Sequence, residues 1–409
     1  MIGLTVIRIL PVSSFLMRGM GPGNGKKRRQ QPESQEQRQQ IFAGKTVKLS
    51  LTLSLANLRS KHMRKLASIQ RIWKIDPIPG AERIELAHVL GWQCVVNKGQ
   101  FQTGDLAVYF EIDSFLPVRD VFEFMRASSY RKTDIMGEGF RLRTMRFRGE
   151  ISQGLLLPLS QFPEITGRPE LGQNVSELLG VRKWEIEERA TTGGTVMGNL
   201  PRDIPHTDET RVQENPELIQ AFAGLEYYIT TKMDGSSHSL GLDEDGFHVT
   251  GHNYEYKDDG KSSFYELVKA RGWREKMEEF RKTAGLSSLT IQGEFCAPGI
   301  QKNRLKLTRP EWYVFTVLEN GKRVGLDRML EVVKALEMTP VPVEERDRDL
   351  PARYPSVTAL LERAEGEYAC GGKKEGIVVR PAEPVYSPLI GAELSMKVIS
   401  NRYLLKNDG

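Results

Sequence analysis

The sequence predicts an α+β protein: an OB-type β-barrel near its N-terminus, then a larger domain of antiparallel sheets flanked by helices. Three observations predict it. Residues 63–180 break into short runs rich in β-branched and aromatic residues, punctuated by Gly and Pro, as a small barrel or sandwich requires. A five-stranded OB barrel suits a segment of that length. Residues 215–409 mix strand-like runs with helical stretches, which indicates α+β with antiparallel pairing. At 409 residues the chain also exceeds one ordinary core, so two domains are expected.

Composition narrows the class. With 39% hydrophobic and 27% charged residues the chain has the balance of a soluble globular protein. A net charge of +5 and a pI near 8.9 permit a polyanionic partner without requiring one. The three cysteines, Cys94, Cys296 and Cys370, lack metal-ligand spacing. That fits a reducing intracellular, cytoplasmic setting with no disulfide frame and no zinc site. No apolar run is long enough to span a bilayer, so no membrane partner is expected.

Taken in order, residues 1–62 stand apart. Up to Pro32 they contain no acid, carry Arg8, Arg18, Lys26, Lys27, Arg28 and Arg29, and then pass into a Gln-rich run. They read as a disordered extension, with two accounts open: a mitochondrial targeting segment, or an upstream stretch with translation starting at Met63. Barrel strands are expected at 66–75, 84–90, 93–97, 106–112 and 155–159. Residues 130–132 and 140–148 interleave aromatics with Arg131, Lys132, Arg141, Arg143, Arg146 and Arg148, the means to stack bases and neutralise phosphates. Strict alternation puts Arg141 and Arg143 on one face and Arg146 and Arg148 on the other. Either a bulge resets the phase or half of them face solvent. Residues 181–214, polar and broken by Gly193, Gly194, Pro201 and Pro205, read as a linker. In the second domain, helices are expected over 262–282, 327–337 and 356–364.

Four charged positions in the second domain carry chemistry. A β-branched run ends in Thr231-Lys232-Met233-Asp234-Gly235. If the strand continues, Lys232 and Asp234 share a face and Met233 points the other way, while Gly235 admits a tight turn close to a phosphate. Lys232 is then a nucleophile if burial or cationic neighbours lower its pKa, or else half of a surface ion pair. Glu294 sits on the run 289–295, Glu375 just before the apolar run 376–380, and Lys397 mid-strand, where an unpaired ammonium is costly. Each alone is commonplace at strand ends; all four together point to one site.

Lys232-Met233-Asp234-Gly235, Gly293-Glu294-Phe295, Trp312-Tyr313-Val314-Phe315, Glu375-Gly376-Ile377-Val378-Val379-Arg380 and Ser395-Met396-Lys397 together resemble the ordered motifs of the covalent nucleotidyltransferases, which comprise ATP-dependent ligases and mRNA capping enzymes. Residues 298–304 and 207–213 are more similar still to the Deinococcus-type RNA ligases, which place an OB domain ahead of the nucleotidyltransferase (adenylylation) domain. The resemblance runs from about residue 63 to the C-terminus. It agrees with the order of parts here, since residues 401–409 are too few for a barrel after the last motif.

The resemblance implies an ATP-dependent RNA ligase that passes AMP through Lys232 to an RNA 5′-phosphate and then joins it to a 3′-OH, in RNA repair and as a monomer. It implies Mg²⁺ or Mn²⁺ held largely through water by Asp234, Glu294 and Glu375, and a phosphate contact from Lys397. Thr231, Gly235, His252 and Asn253 would border the nucleotide, with Phe315 or Tyr313 stacking on adenine. Two departures stand out: Gly251-His252-Asn253 where the family has Ser-Arg-Asn, and His206 where lysine is common. Two alternatives remain, a ligase sealing DNA or mixed nicks in a duplex and a non-catalytic RNA-binding protein that keeps a nucleotide pocket.

Overall fold

The computed structural model describes residues 64–185 and 194–407. The extension 1–62, with its targeting and start-site readings, lies outside the described residues, as does part of the expected linker. Residues 62–409 form one compact unit.

The N-terminal part is the expected OB fold. Its first strands are β1 (Ala67–Pro77), β2 (Ile84–Val89), β3 (Trp92–Asn97), β4 (Leu106–Phe110), β5 (Ser114–Leu116) and β6 (Tyr130–Thr133). They are followed by β7 (Gly137–Arg141), β8 (Thr144–Phe147), β9 (Glu150–Gln153), β10 (Leu155–Pro158) and β11 (Arg182–Lys183). One sheet runs β10-β4-β1-β2-β3 and a second β11-β5-β7-β6. β1 belongs to two pairings: residues up to Arg71 face β4, and from Ile72 onward they face β2, with a register shift between Ile72 and Lys74. Such a bulge bends and twists a strand, which curls the sheet into a half-barrel.

The arginine-rich stretch resolves its phase differently from either expectation. β7 ends at Arg141, and β8 starts a separate hairpin with β9. Alternation therefore never runs through from Arg141 to Arg148. Arg141 stacks on Trp184 at 5.0 Å, while Arg146, Phe147 and Arg148 are exposed at the hairpin tip.

The second domain contains β12 (Val196–Asn199), β13 (Glu226–Lys232), β14 (Ser236–Leu242), β15 (Phe247–Thr250), β16 (Tyr254–Tyr256), β17 (Leu289–Cys296) and β18 (Glu311–Glu319). It continues with β19 (Lys322–Arg323), β20 (Thr339–Pro340), β21 (Val343–Arg348), β22 (Gly376–Pro381), β23 (Tyr386–Ser387), β24 (Ala392–Glu393) and β25 (Met396–Ile399). One sheet runs β12-β16-β15-β14-β17-β18-β19 and another β21-β13-β22-β25. The helices longer than one turn are α1 (Ser263–Arg271), α2 (Trp273–Thr283), α3 (Leu326–Ala335), α4 (Val357–Ala364) and α5 (Asn401–Asn407). The single helix expected over 262–282 is two, because Gly272 takes φ +60° and ends α1 in a left-handed cap. The Ser262 hydroxyl opens α1 by accepting from the Tyr265 amide at 3.2 Å. Among the described residues no helix is long and apolar enough to cross a membrane.

Barrel and second domain share interior. Ile399 of β25 and Leu404 of α5 are buried in the cluster formed by Ile72, Trp92, Tyr109 and Leu156. Beside it, Arg211 donates to Asp113 at 2.7 Å, and Arg64 pairs with Glu111 and Glu214. The expected linker thus becomes a seam of the fold after residue 206.

Two outcomes follow for stability. Leu404→Ala should cost about 2–4 kcal/mol and lower Tm within one cooperative calorimetric transition; two separate transitions would show independent domains. Glu214 titrates near 7 instead of 4.5, first because it is buried and then because Glu111 lies beside it, against the pull of Arg64 and Arg211. In the unfolded chain this carboxyl ionises first, so the native state holds an extra proton between those values and loses stability as pH rises through them. Glu214→Gln should therefore gain a few degrees over wild type in circular dichroism melts on going from pH 5 to pH 8.

Candidate active site

A cavity of about 180 Å³ is lined from both sheets of the second domain. β13 contributes Thr230, Thr231 and Lys232, β22 contributes Val378 and Arg380, and β25 contributes Lys397. From the other sheet come Ser237, Glu294 and Phe315, with His252 from the β15–β16 turn and Thr207, Asp208 and Glu209 from the segment before β13. Register explains the convergence. β13 and β22 pair Lys232 with Gly376, and β22 and β25 pair Val378 with Lys397. Lys232 and Lys397 are thereby fixed on the two strands that flank β22, with Glu375 one residue before the paired Gly376.

Lys232 Nζ donates to Glu375 Oε2 at 2.9 Å. Tyr368 locks the pair from behind: its hydroxyl donates to the Lys232 carbonyl at 2.9 Å and accepts from the Glu375 amide at 3.1 Å. Burial pulls the Lys232 pKa down, but Glu375 and Glu294 outweigh it and hold the ammonium above the ordinary lysine range. The condition that burial or cationic neighbours lower the Lys232 pKa is therefore not met by the protein's own groups, because the lysine's neighbours are carboxylates and not cations. Lys397 behaves the opposite way. Burial first, then Arg211 and Lys232, bring it down to about 8. Glu294 is pushed up to about 7 by burial against the pull of Lys232, with Glu375 adding like charge.

Other expected residues divide. Thr231 lines the cavity, and its hydroxyl donates to Glu344 at 2.7 Å. Glu344 also receives Lys374 at 2.9 Å and Arg363 at 2.7 Å. Phe315 faces the cavity, whereas Tyr313 lines a different one with Arg271, Lys306 and Arg309. A bulge in the β17–β18 pairing between Gln292 and Gly293 leaves Phe315 as the extra residue, which separates two aromatics that simple alternation puts on one face.

Asp234 is displaced from its expected place. β13 stops at Lys232, so alternation does not reach Asp234, and Met233 lines the cavity instead. One Asp234 oxygen pairs with Arg304 and the other accepts from the Tyr403 hydroxyl at 2.7 Å. Arg304 in turn lies 4.6 Å over the Tyr403 ring. Both carboxylate oxygens are thus engaged away from the cavity. Gly235 and Asn253 do not line it either; Asn253 is exposed on the hairpin turn. Gly235 is needed for close packing, since a Cβ there would stand 2.4 Å from the Phe295 carbonyl oxygen and 2.7 Å from Cys296 Sγ.

Glu209 and Arg380 form the part of the site that reading by motif undervalued. Arg380 donates to Glu209 Oε1 through Nε at 3.2 Å and to Thr316 Oγ1 at 3.2 Å, and sits 5.6 Å from the Phe315 ring centre. The Ser395 hydroxyl also donates to Glu209. Burial raises the Glu209 pKa, but Arg380 and Arg323 reverse that and keep it ionised. The signal was present in sequence as an acid at 209 inside a polar stretch, yet nothing local shows that it reaches an arginine so far along the chain.

Comparison with known proteins agrees with this arrangement. An RNA ligase family profile matches residues 225–399 and an OB-fold domain profile matches residues 66–159. No curated protein matches the chain. Among solved structures it is similar to the Naegleria gruberi RNA ligase with pyrophosphate, at 32% identity and TM-score 0.75 over 85% of this chain and 99% of that one. A lysine-to-alanine variant of that ligase with ATP and Mn matches at 32% identity and TM-score 0.74, over 84% and 98%. A lysine-to-methionine variant with AMP and Mn matches at 32% identity and TM-score 0.74, over 84% and 99%. The OB fold ahead of a two-sheet domain with this cavity defines a polynucleotide ligase. With this identity over nearly the whole of a known member, the chain belongs to the RNA ligase family.

The packing role of Gly235 can be separated from a ligand role. Gly235→Ala should lower Tm in the absence of any nucleotide, by an overpacking cost of about 1–3 kcal/mol. An unchanged Tm in differential scanning fluorimetry would refute the packing account.

Proposed function

We propose that this ligase is ATP-dependent, seals RNA 3′-OH and 5′-phosphate ends through a lysyl-AMP formed on Lys232, and serves RNA repair. The observation that carries the reading is Lys232 at the C-terminal end of β13, in one cavity with Glu294, Phe315, Arg380 and Lys397. The similar Naegleria ligase has been seen with ATP and Mn and with AMP and Mn, which supports the same nucleotide and a divalent ion here.

Lys232 Nζ attacks the α-phosphorus of ATP; the N–P bond forms, the bond to the bridging oxygen breaks, and pyrophosphate leaves. The ammonium must first lose a proton, which Glu375 at 2.9 Å accepts, with Glu294 near pH 7 as a second acceptor. An RNA 5′-phosphate oxygen then displaces the lysine, and a 3′-OH displaces AMP. Covalent catalysis divides one condensation into easier steps. Lys397 neutralises phosphate charge that develops during each transfer. Phe315, held on one side by Arg380, offers its other side to adenine.

Glu294 and Glu375 suit a hard divalent ion such as Mg²⁺ or Mn²⁺. Two neighbouring acids, one pushed up to about 7, are relieved by a cation, whereas the Asp234 oxygens are engaged by Arg304 and Tyr403. When bound, that ion would neutralise the carboxylates and phosphate oxygens. Arg146, Phe147 and Arg148, exposed on the β8–β9 hairpin, are the proposed RNA-backbone contacts of the barrel.

Incubation with α-labelled ATP tests the reading. Wild type should take covalent label and Lys232→Ala none, while Lys232→Ala should still join a strand already carrying 5′-adenylate to a 3′-OH. Glu375→Ala should lose both activities, by a hundredfold or more at about 3 kcal/mol. Covalent label on Lys232→Ala would move the nucleophile elsewhere.

A further inference from the structure

At the cavity, Asp208 and His252 belong to a second cluster, to which the steps proposed above assign no role. His206, Asp208 and His252 each offer a ligand atom, and these atoms lie within 4.8 Å of one another. His252 Nε2 stands 3.4 Å from Asp208 Oδ2. Two ligands each about 2.1 Å from one tetrahedral ion stand roughly 3.4 Å apart, so this pair is already at ligand spacing. The His206 and His252 rings are 5.7 Å apart, tilted at 60°, which lets both turn a ring nitrogen toward a common point. The backbones that carry them are held. Thr207 Oγ1 and Ser237 Oγ hydrogen bond at 2.6 Å, and the Gly251 amide donates to the Tyr254 carbonyl at 2.9 Å across the β15–β16 turn.

We infer that His206, Asp208 and His252 form a binding site for a divalent transition ion of the zinc type at the rim of the nucleotide cavity. Two imidazoles and one carboxylate favour Zn²⁺ or Co²⁺ over Mg²⁺, which prefers oxygen ligands. Cysteine spacing led to an expectation of no zinc site, and it could not register two histidines brought together from distant stretches. Bound there, the ion ties the 206–208 segment to the β15–β16 turn. Three protein ligands leave at least one coordination position open. Asp208 and His252 line the cavity, so that position is accessible to a phosphate oxygen. This last consequence rests on the proposed nucleotide role of the cavity, but the site itself does not and is tested with metal alone.

Full-length protein freed of metal with a chelator is titrated with Co²⁺ at neutral pH, without nucleotide. A saturable visible absorption band is expected, displaced by one equivalent of Zn²⁺ and unaffected by excess Mg²⁺. His206→Ala and His252→Ala should each weaken binding by about tenfold or more. Asp208→Asn, at an exposed side chain, should do the same. Absence of a saturable band overturns the inference. So does a band that survives both histidine variants, or one lost in Glu294→Gln and kept in His252→Ala, which would put the ion among the carboxylates. Circular dichroism of each variant separates loss of the site from loss of the fold. Failure here leaves covalent labelling of Lys232 unaffected.

Discussion

An ammonium held against carboxylates at the end of a buried strand is the constraint around which this domain is arranged. Neither Lys232 nor Glu375 is more than a quarter exposed, at 23% and 15% of the side chain. Removing both from water costs several kcal/mol unless the geometry repays it. Tyr368 supplies part of that geometry by bonding the backbone of both residues. Below them, Glu344 gathers Thr231, Lys374 and Arg363, so β13 is fixed on its edge side as well as through its ladder with β22.

The two lysines of the cavity are driven to opposite states by their neighbours. Lys232 lies among acids and keeps its proton, whereas Lys397, beside Arg211 and Lys232, is brought down to about 8. Environments that pull like groups apart assign them different tasks. The first is held as an ammonium against its carboxylate neighbours. The second is the one whose burial and cationic neighbours act against its charge.

The segment between the two folds does more than connect them. Its residues Thr207 to Glu209 close one wall of the cavity, Arg211 reaches Asp113 of the barrel, and Arg211 bridges β25 beside Lys397. Barrel position and cavity charge are therefore set by the same few residues. Leu404 and Ile399, buried against barrel side chains, extend that coupling into the hydrophobic interior.

Much of this was legible in the sequence because it depends on short-range pattern. Period-two runs and Gly/Pro punctuation located the barrel strands, and Lys232, Glu294, Glu375 and Lys397 announced themselves as charges on apolar strands. Other features depend on where strands stop, shift or meet, which no local pattern encodes. Asp234 left the cavity because β13 ends two residues earlier, and Arg304 and Tyr403 took its oxygens. Phe315 was chosen over Tyr313 by a bulge opposite Gly293. Arg141 and Arg146 fell into different sheets because β7 ends at Arg141 and β8 starts a separate hairpin at Thr144. The sequence by itself determined which residue types were available and which strands carried them. Tertiary structure alone decided the charge states and the joining of Glu209 to Arg380 and of His206 to His252. Those depend on distance and burial between residues far apart in the chain, and electrostatic interaction is set by separation in space and local dielectric, not by order along the backbone.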